Sequence, residues 1–282
     1  MTFFVAVSAA SAALAVLGLV LLRAERRPVA TNYRGRRLRV VLGMATSFAV
    51  IVLGAFAYVV SGHWRAFRFA GVLGVWFWLA VTIVFLAGWY DDLHPRRGRG
   101  LGGHFGQLAR GRLTPGIVKL VAIVIASIAV AVAAPAGAAR TIVGVPVIAG
   151  CANLWNLLDV RPGRCLKAFL LAAVVLAPFA ARHDPLVIPS AFGAALLVLP
   201  VDLRERGMLG DSGSNVLGFL IGVALFFTLP VWGLVVALFV ILLAHYVAET
   251  TTLSRVIDAV AILRWLDGLG RRKEPVGPDR GR

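Results

Sequence analysis

The chain has 282 residues, of which 60% are hydrophobic and 15% are charged, and its mean hydropathy is +0.87. An ordinary soluble domain of this composition would expose large apolar patches, so we expect an integral membrane protein instead. The formal net charge is +16. No soluble nucleic-acid-binding motif accompanies it, so we expect this charge to follow membrane topology and to attract anionic lipid headgroups, not nucleic acid.

Long apolar runs recur along the whole chain, and because they do not alternate with polar residues they predict helices and not barrel strands. We predict an all-α, polytopic membrane helix bundle with about nine (9–10) transmembrane helices. A membrane-embedded domain would cover residues 1–250, an interfacial amphipathic helix 251–272 and a disordered basic tail 273–282. The predicted spans are 2–22, 39–60, 69–90, 115–134, 141–158, 165–181, 188–203, 214–229 and 231–248.

The charged residues are distributed unequally between the two sides of these spans. The first span is followed, not preceded, by Arg23, Arg26 and Arg27, which favours an N-terminus outside the membrane. Of the 29 Lys and Arg, 25 fall on one side, which the positive-inside rule predicts to be cytoplasmic. Of the 13 acidic residues, only Asp184 falls on the outer side. Carboxylates beside a rim of arginines suggest a site for a divalent cation and phosphates.

The third span ends at two adjacent aspartates, Asp91 and Asp92, and a loop rich in Arg and Gly follows over 94–114. Carboxylates at a helix C-terminus are disfavoured, and two neighbouring carboxylates repel each other. Mg²⁺ held together with substrate phosphates would offset this cost; the alternative is two solvated acids neutralised by the loop. The candidate phosphate-binding residues of the loop include Arg96, Arg97, His104 and Arg112.

The fifth span closes with "NLWNLLDVRPGR", residues 153–164. Asn153, Asn156 and Asp159 are spaced i, i+3, i+6, so on a helix they form one polar stripe. Polar groups on an inward face of a membrane helix need partners, which indicates a site; the alternative is an ordinary polar helix end at headgroup level. The Pro-Gly pair that includes Gly163 should end the helix.

Two further polar stretches fall on the same predicted side. In "MLGDSGSNVLGFLIG", residues 208–222, Asp211 is either part of a helix N-cap or a cation ligand beside an anion-binding helix N-terminus. In "TNYRGRRL", residues 31–38, Asn32 and Arg34 form a turn-like polar cluster, for which the alternative is a plain topogenic loop.

The order of these motifs resembles the polyprenyl-phosphate N-acetylhexosamine-1-phosphate transferase superfamily: "DD" after the third span, "NxxNxxD" after the fifth and "LGDSG" after the seventh. The resemblance covers roughly residues 30–250. It implies an enzyme of the bacterial cytoplasmic membrane that moves a sugar-1-phosphate from a UDP-sugar to undecaprenyl phosphate, releasing UMP, in cell-envelope glycopolymer synthesis. It also implies Mg²⁺ as the cofactor, with Mn²⁺ as a substitute, and suggests a homodimer.

The resemblance also implies a role for individual residues. Asp91, Asp92 and Asp159 resemble the family's catalytic acids, and Asn156 and Asp211 resemble its Mg²⁺ ligands. The residues implied to bind the substrates are Asn32, Arg34, Asn153, Arg96, Arg97, His104, Arg112 and Gly163.

The chain departs from the family where it reads "DVRPG", residues 159–163, instead of the common "DGxDG". Val160 replaces the first glycine and Pro162 the second acid, so we expect uridine or sugar recognition to differ. The family's histidine-rich motif near the C-terminus is also missing. The alternatives are a catalytically inactive relative that binds lipid headgroups as a scaffold, or a transporter. A transporter should show polar groups near mid-membrane and repeated halves, and the sequence has neither.

Overall fold

The computed structural model describes residues 2–21, 29–31, 37–61, 72–94, 106–107, 109–111, 113–180 and 187–271. The predicted tail at 273–282 therefore lies outside the described residues. So do six of the predicted site residues, Asn32, Arg34, Arg96, Arg97, His104 and Arg112.

Long helices occupy the positions of the predicted spans. They are α1 (Thr2–Leu21), α2 (Leu42–Ser61), α3 (Val72–Leu93), α4 (Pro115–Ala133), α5 (Ala138–Leu158), α6 (Arg164–Ala180), α7 (Pro189–Leu203), α8 (Gly210–Thr228) and α9 (Val231–Thr250). Within the described ranges, six of them are long and apolar enough to cross a membrane: α1, α3, α4, α5, α8 and α9. The prediction of a helical membrane protein is confirmed, while nine crossings and the orientation remain predictions.

Four smaller elements, two strands and two short helices, accompany the long helices. A short antiparallel pair, β1 (Val29–Thr31) and β2 (Arg37–Arg39), lies between α1 and α2 with Ala30 opposite Leu38, an exception to the all-α prediction. The segment predicted as one interfacial helix forms two, α10 (Leu253–Ala259) and α11 (Ala261–Gly268), because the backbone is extended at Val260. We call residues 253–268 the C-terminal hairpin.

Helix α8 is the centre of the bundle, since 16 of its 19 residues are buried. It packs against α2, α3, α5 and α6. Glycines make the closest of these contacts: a Cβ added at Gly218 would lie 2.4 Å from the Cys151 carbonyl oxygen, and one at Gly43 would lie 2.1 Å from that of Leu209. Small residues at helix interfaces are how membrane helices bring their backbones together. The first turns of α8 therefore sit where the ends of several helices converge.

Candidate active site

A buried lysine joins residues from three of the predicted motifs. Lys119, in the second turn of α4, donates from Nζ to Asp91 Oδ2 at 2.8 Å and to Asp211 Oδ2 at 2.7 Å. With its amide oriented to satisfy both neighbours, Asn156 accepts from Lys119 Nζ at 2.9 Å and donates to Asp211 Oδ1 at 2.9 Å. These four residues, from α4, α3, α8 and α5, are called the acid–lysine cluster below.

The acid–lysine cluster is nearly closed to solvent. Asp91 is 6% exposed, Lys119 8% and Asp211 2%. Buried charges are tolerated only when they are paired and hydrogen-bonded, and removing one partner of such a pair costs about 3–5 kcal/mol. Two carboxylates against one ammonium leave the ionised cluster with one negative charge in excess, which favours a further cation or a cation of higher charge.

Asp92 and Asp159 serve a different purpose at the same place. Asp92 accepts hydrogen bonds from the backbone N–H groups of Asp211 and Ser212, both at 2.9 Å. Asp159 accepts from the N–H of Gly210, also at 2.9 Å. These donors form the first turn of α8, where unpaired N–H groups and the helix dipole favour negative charge. The N-terminus of α8 is thus capped by two carboxylates from distant parts of the chain.

Two glycines permit this capping. Gly210 has φ +70°, and a Cβ there would meet Val40 Cγ1 at 2.1 Å and the carboxylate oxygens of Asp92 at 3.0 Å. A Cβ at Gly88, one turn before Asp92 on α3, would lie 2.5 Å from the carbonyl oxygen of Asp211. The close approach of α3 to the start of α8 therefore depends on both glycines.

Two residues predicted to bind substrate have other partners in the structure. Asn153 Nδ2 donates to His245 Nε2 at 2.8 Å, and His245 Nδ1 donates to the Ile241 carbonyl at 2.8 Å, which links α5 to α9. Gly163 has φ +74° and donates its N–H to Asp202 Oδ2 at 2.7 Å. These contacts give both residues a structural role, and their contact with substrate stays a prediction.

The turn that departs from the family pattern lines a narrow pocket beside Asp159. The pocket lies between this turn, Leu38 of β2, Asp202 at the end of α7 and Met208 before α8. Its walls combine apolar side chains with two carboxylates and Arg161. Its free space is about that of one water molecule, so as it stands it is a small cleft next to the first turn of α8.

No protein-family model matches the chain, and no curated protein matches it either. The family assignment therefore remains a prediction from the order of the motifs.

The fit of these residues to Mg²⁺ can be tested on the donor atoms. Among the described residues, no three His, Cys, Asp or Glu side chains form a metal-binding group. The oxygens that converge are instead those of two carboxylates, Asp91 and Asp211, and one amide, Asn156, and a cation, the ammonium of Lys119, already stands among them. Mg²⁺ prefers such oxygens and usually takes only one or two carboxylates from the protein. The donor set fits the ion.

Sequence reasoning counted Lys119 only as one of the charges on the basic side and did not include it in the site. A signal was present, because Lys119 is the only charged residue inside the predicted fourth span, 115–134. An ionisable residue within a membrane helix is by default a functional candidate whose partner should be sought. The partners, 28 and 92 residues away in the chain, were visible only in three dimensions.

Proposed function

We propose that the protein is a membrane transferase that moves a sugar-1-phosphate, of the N-acetylhexosamine type, from a UDP-sugar to a polyprenyl phosphate and releases UMP. One observation carries the proposal. Residues of three motifs that are far apart in the chain, represented by Asp91, Asn156 and Asp211, meet around a single buried cation. The spacing of those motifs is what resembles the transferase superfamily.

The position of the cluster along the helices favours chemistry at a lipid headgroup over transport. Asp91 and Asn156 are each two residues from the end of their helix, and Asp211 is the second residue of α8. A transporter site is expected near the middle of the membrane, at broken helices. A site at helix ends is reached by a water-soluble sugar nucleotide and by the phosphate of a lipid whose chain remains in the bilayer.

The reaction needs little from the protein beyond positioning and charge. An oxygen of the polyprenyl phosphate attacks the β-phosphorus of the UDP-sugar, the bond from that phosphorus to the bridging oxygen breaks, and UMP leaves with the electron pair. Lys119 is suited to bind phosphate oxygens as charge develops on them. Asp91 is suited to orient the lipid phosphate or take its proton through Oδ1, the carboxylate oxygen that does not accept from Lys119.

Asp92 and Asp159 are suited to hold the site in register, because they fix the first turn of α8 from two sides. That turn carries Asp211, so its position decides where the acidic oxygens converge. When bound, Mg²⁺ would neutralise and polarise the diphosphate, and the oxygens that now hold Lys119, those of Asn156, Asp211 and Asp91 Oδ2, would be its protein ligands.

The experiment that tests the proposal is transfer by purified protein in detergent with Mg²⁺, undecaprenyl phosphate and a panel of UDP-sugars. We expect one sugar to appear in the lipid phase as a sugar diphospholipid, with one UMP released per lipid product. Absence of any lipid-linked product across the panel, in a folded preparation that still binds undecaprenyl phosphate, would instead favour a lipid-binding scaffold.

A further inference from the structure

We propose that the Lys119 ammonium occupies the divalent-cation site when the metal is absent. The ammonium and the metal then bind the same oxygens in alternation. The proposal rests on the function proposed above and deepens it, because it names the side chain that changes place when the metal binds. It comes from the geometry of the acid–lysine cluster.

The oxygens around Lys119 come from three different helices and converge on one point. Asp211 Oδ2 lies 2.7 Å from Nζ, Asp91 Oδ2 2.8 Å and Asn156 Oδ1 2.9 Å. An ammonium has three protons, so these three acceptors satisfy it completely. The oxygens would need to move inward by less than ~1 Å each to reach the Mg–O distance of about 2.0–2.1 Å. The same cage can therefore hold either cation after a small contraction.

Charge makes the two states exclusive. An ammonium and a divalent ion in one nearly dry cage would repel each other strongly, because little water screens them. With the lysine, the two ionised carboxylates keep one excess negative charge; with a divalent ion, their charge is fully balanced. The metal is therefore the better partner for the acids, while the lysine prevents their repulsion when the metal is absent.

The lysine can leave without a change of fold. Its four-carbon side chain is flexible, and α4 holds its backbone in the second helical turn. Once displaced, the ammonium remains within a side chain's length of the bound ion, where a diphosphate would carry its charge. The exchange therefore moves a positive group from the acids toward the substrate as the metal arrives.

The test compares Mn²⁺ binding, followed by electron paramagnetic resonance, in wild type and Lys119→Met, which keeps an unbranched apolar side chain without the charge. We expect the variant to bind Mn²⁺ about tenfold more tightly, because no internal cation competes. We also expect the variant to unfold at a lower temperature than wild type without metal. Added Mg²⁺ should raise its unfolding temperature more than it raises that of wild type. Equal or weaker Mn²⁺ affinity in the folded variant would overturn the proposal.

A second measurement uses the wild-type protein and does not depend on the variant folding. Acylation of Lys119 by a water-soluble amine reagent, quantified by mass spectrometry, should be slow without metal and rise severalfold when Mn²⁺ is added. Labelling that is unchanged by saturating Mn²⁺ would overturn the exchange. Asp211→Asn serves as the control, since it should bind little Mn²⁺ and show no such rise.

The two proposals fail separately. If wild type transfers sugar phosphate but acylation of Lys119 does not change with Mn²⁺, the exchange is refuted and the proposed transferase function is not. A protein that exchanges Lys119 for Mn²⁺ but yields no lipid-linked product with any UDP-sugar would refute the transferase and leave a regulated cation site.

Discussion

Asp92 lies at the C-terminal end of its own helix, where a carboxylate is disfavoured, so its charge must be stabilised by another part of the chain. Its charge is stabilised by the N-terminus of another helix, α8, through the N–H groups of Asp211 and Ser212. Its neighbour Asp91 is stabilised by Lys119 instead. The two adjacent acids thus avoid repulsion by pairing with different partners, a backbone on one side and a side chain on the other.

Replacing Asp92 by Asn removes the charge and leaves one amide oxygen for two N–H groups. We expect the free energy of unfolding to fall by about 1–3 kcal/mol, since a buried donor loses its partner. We also expect the rate of sugar-phosphate transfer to fall at least ~100-fold as the first turn of α8 shifts. Thermal unfolding in detergent and the transfer assay measure the two effects. Full activity with unchanged stability would show that the cap is dispensable.

Gly210 offers a second test at the same turn. Alanine there would have to adopt φ +70° and would clash with Val40 and Asp92, so we expect a loss of about 2–4 kcal/mol of stability. Gly268→Ala is the matched control, because among the described residues outside its own stretch of helix no atom lies within 4 Å of a Cβ there, and its φ is not in the left-handed region. The prediction is wrong if the two variants unfold at the same temperature.

At the scale of single residues, the sequence analysis included the two aspartates and the asparagine of the acid–lysine cluster and left out its lysine. Asp91, Asn156 and Asp211 were recognisable because polar residues at the ends of apolar runs are few and their order is distinctive. Lys119 was overlooked because a cationic residue near a membrane surface has a common topological explanation. Only its contacts, made by helices that are not neighbours in the chain, separate the two interpretations.

The C-terminal hairpin is held against the start of α6 by ion pairs. Arg161 binds Asp258 through two hydrogen bonds of 2.7 and 2.8 Å, and Arg164 binds Asp267 through two of 2.9 and 3.0 Å. Ile262 and Trp265 remain 59% exposed. The hairpin follows directly on the membrane helix α9, so these apolar side chains agree with the predicted interfacial location, which stays a prediction. The ion pairs fix the orientation of the hairpin in which Ile262 and Trp265 are exposed.

These ion pairs predict a pH dependence. Burial acts to raise the pKa of Asp267, but hydrogen bonds from Arg164 and Arg271 outweigh it and lower the pKa to about 2. A carboxyl whose folded pKa lies below its unfolded value of about 3.9 stabilises the docked state above pH 4. That contribution is lost as the pH falls from about 4 toward 2. Between pH 5 and 8 it should be constant.

Hydrogen exchange of residues 253–268 measures this docking. In wild type we expect protection to be constant at neutral pH and to fall only below about pH 4, after correction for the intrinsic exchange rate. Asp267→Asn should already have lost protection at pH 7 and show a weaker acid response. Identical profiles for the two proteins would contradict a stabilising role for this carboxylate.

At the scale of elements, helix positions were predictable and their contacts were not. Uninterrupted apolar runs mark helices because the backbone must be satisfied internally in lipid, and α1 to α9 follow the predicted spans within a few residues. The break at Val260 and the pairing of β1 with β2 depend on local backbone geometry that hydropathy does not encode. The central position of α8 depends on glycines whose purpose appears only when neighbouring helices are in place.

For the whole molecule, the acid–lysine cluster both carries the cost of burying charge and forms the proposed active site. Four helices bring acids, an amide and a lysine to one end of the bundle, where a site with excess negative charge is stable only while a cation occupies it. A purely structural membrane protein would gain stability more readily from apolar packing at this position, because burying these charges carries a desolvation penalty. Its place at helix ends suits a reaction between a soluble nucleotide and a membrane lipid.

The most direct measurement of the central claim is the rate of lipid-dependent UMP release by wild type, Asp211→Asn and the control Glu249→Gln, compared side by side. Glu249 is exposed near the end of α9 and is not one of the four residues of the acid–lysine cluster. With Mg²⁺, undecaprenyl phosphate and the accepted UDP-sugar, we predict a loss of at least ~100-fold in Asp211→Asn and no loss in Glu249→Gln. Equal rates in all three folded proteins would contradict a catalytic role for the cluster.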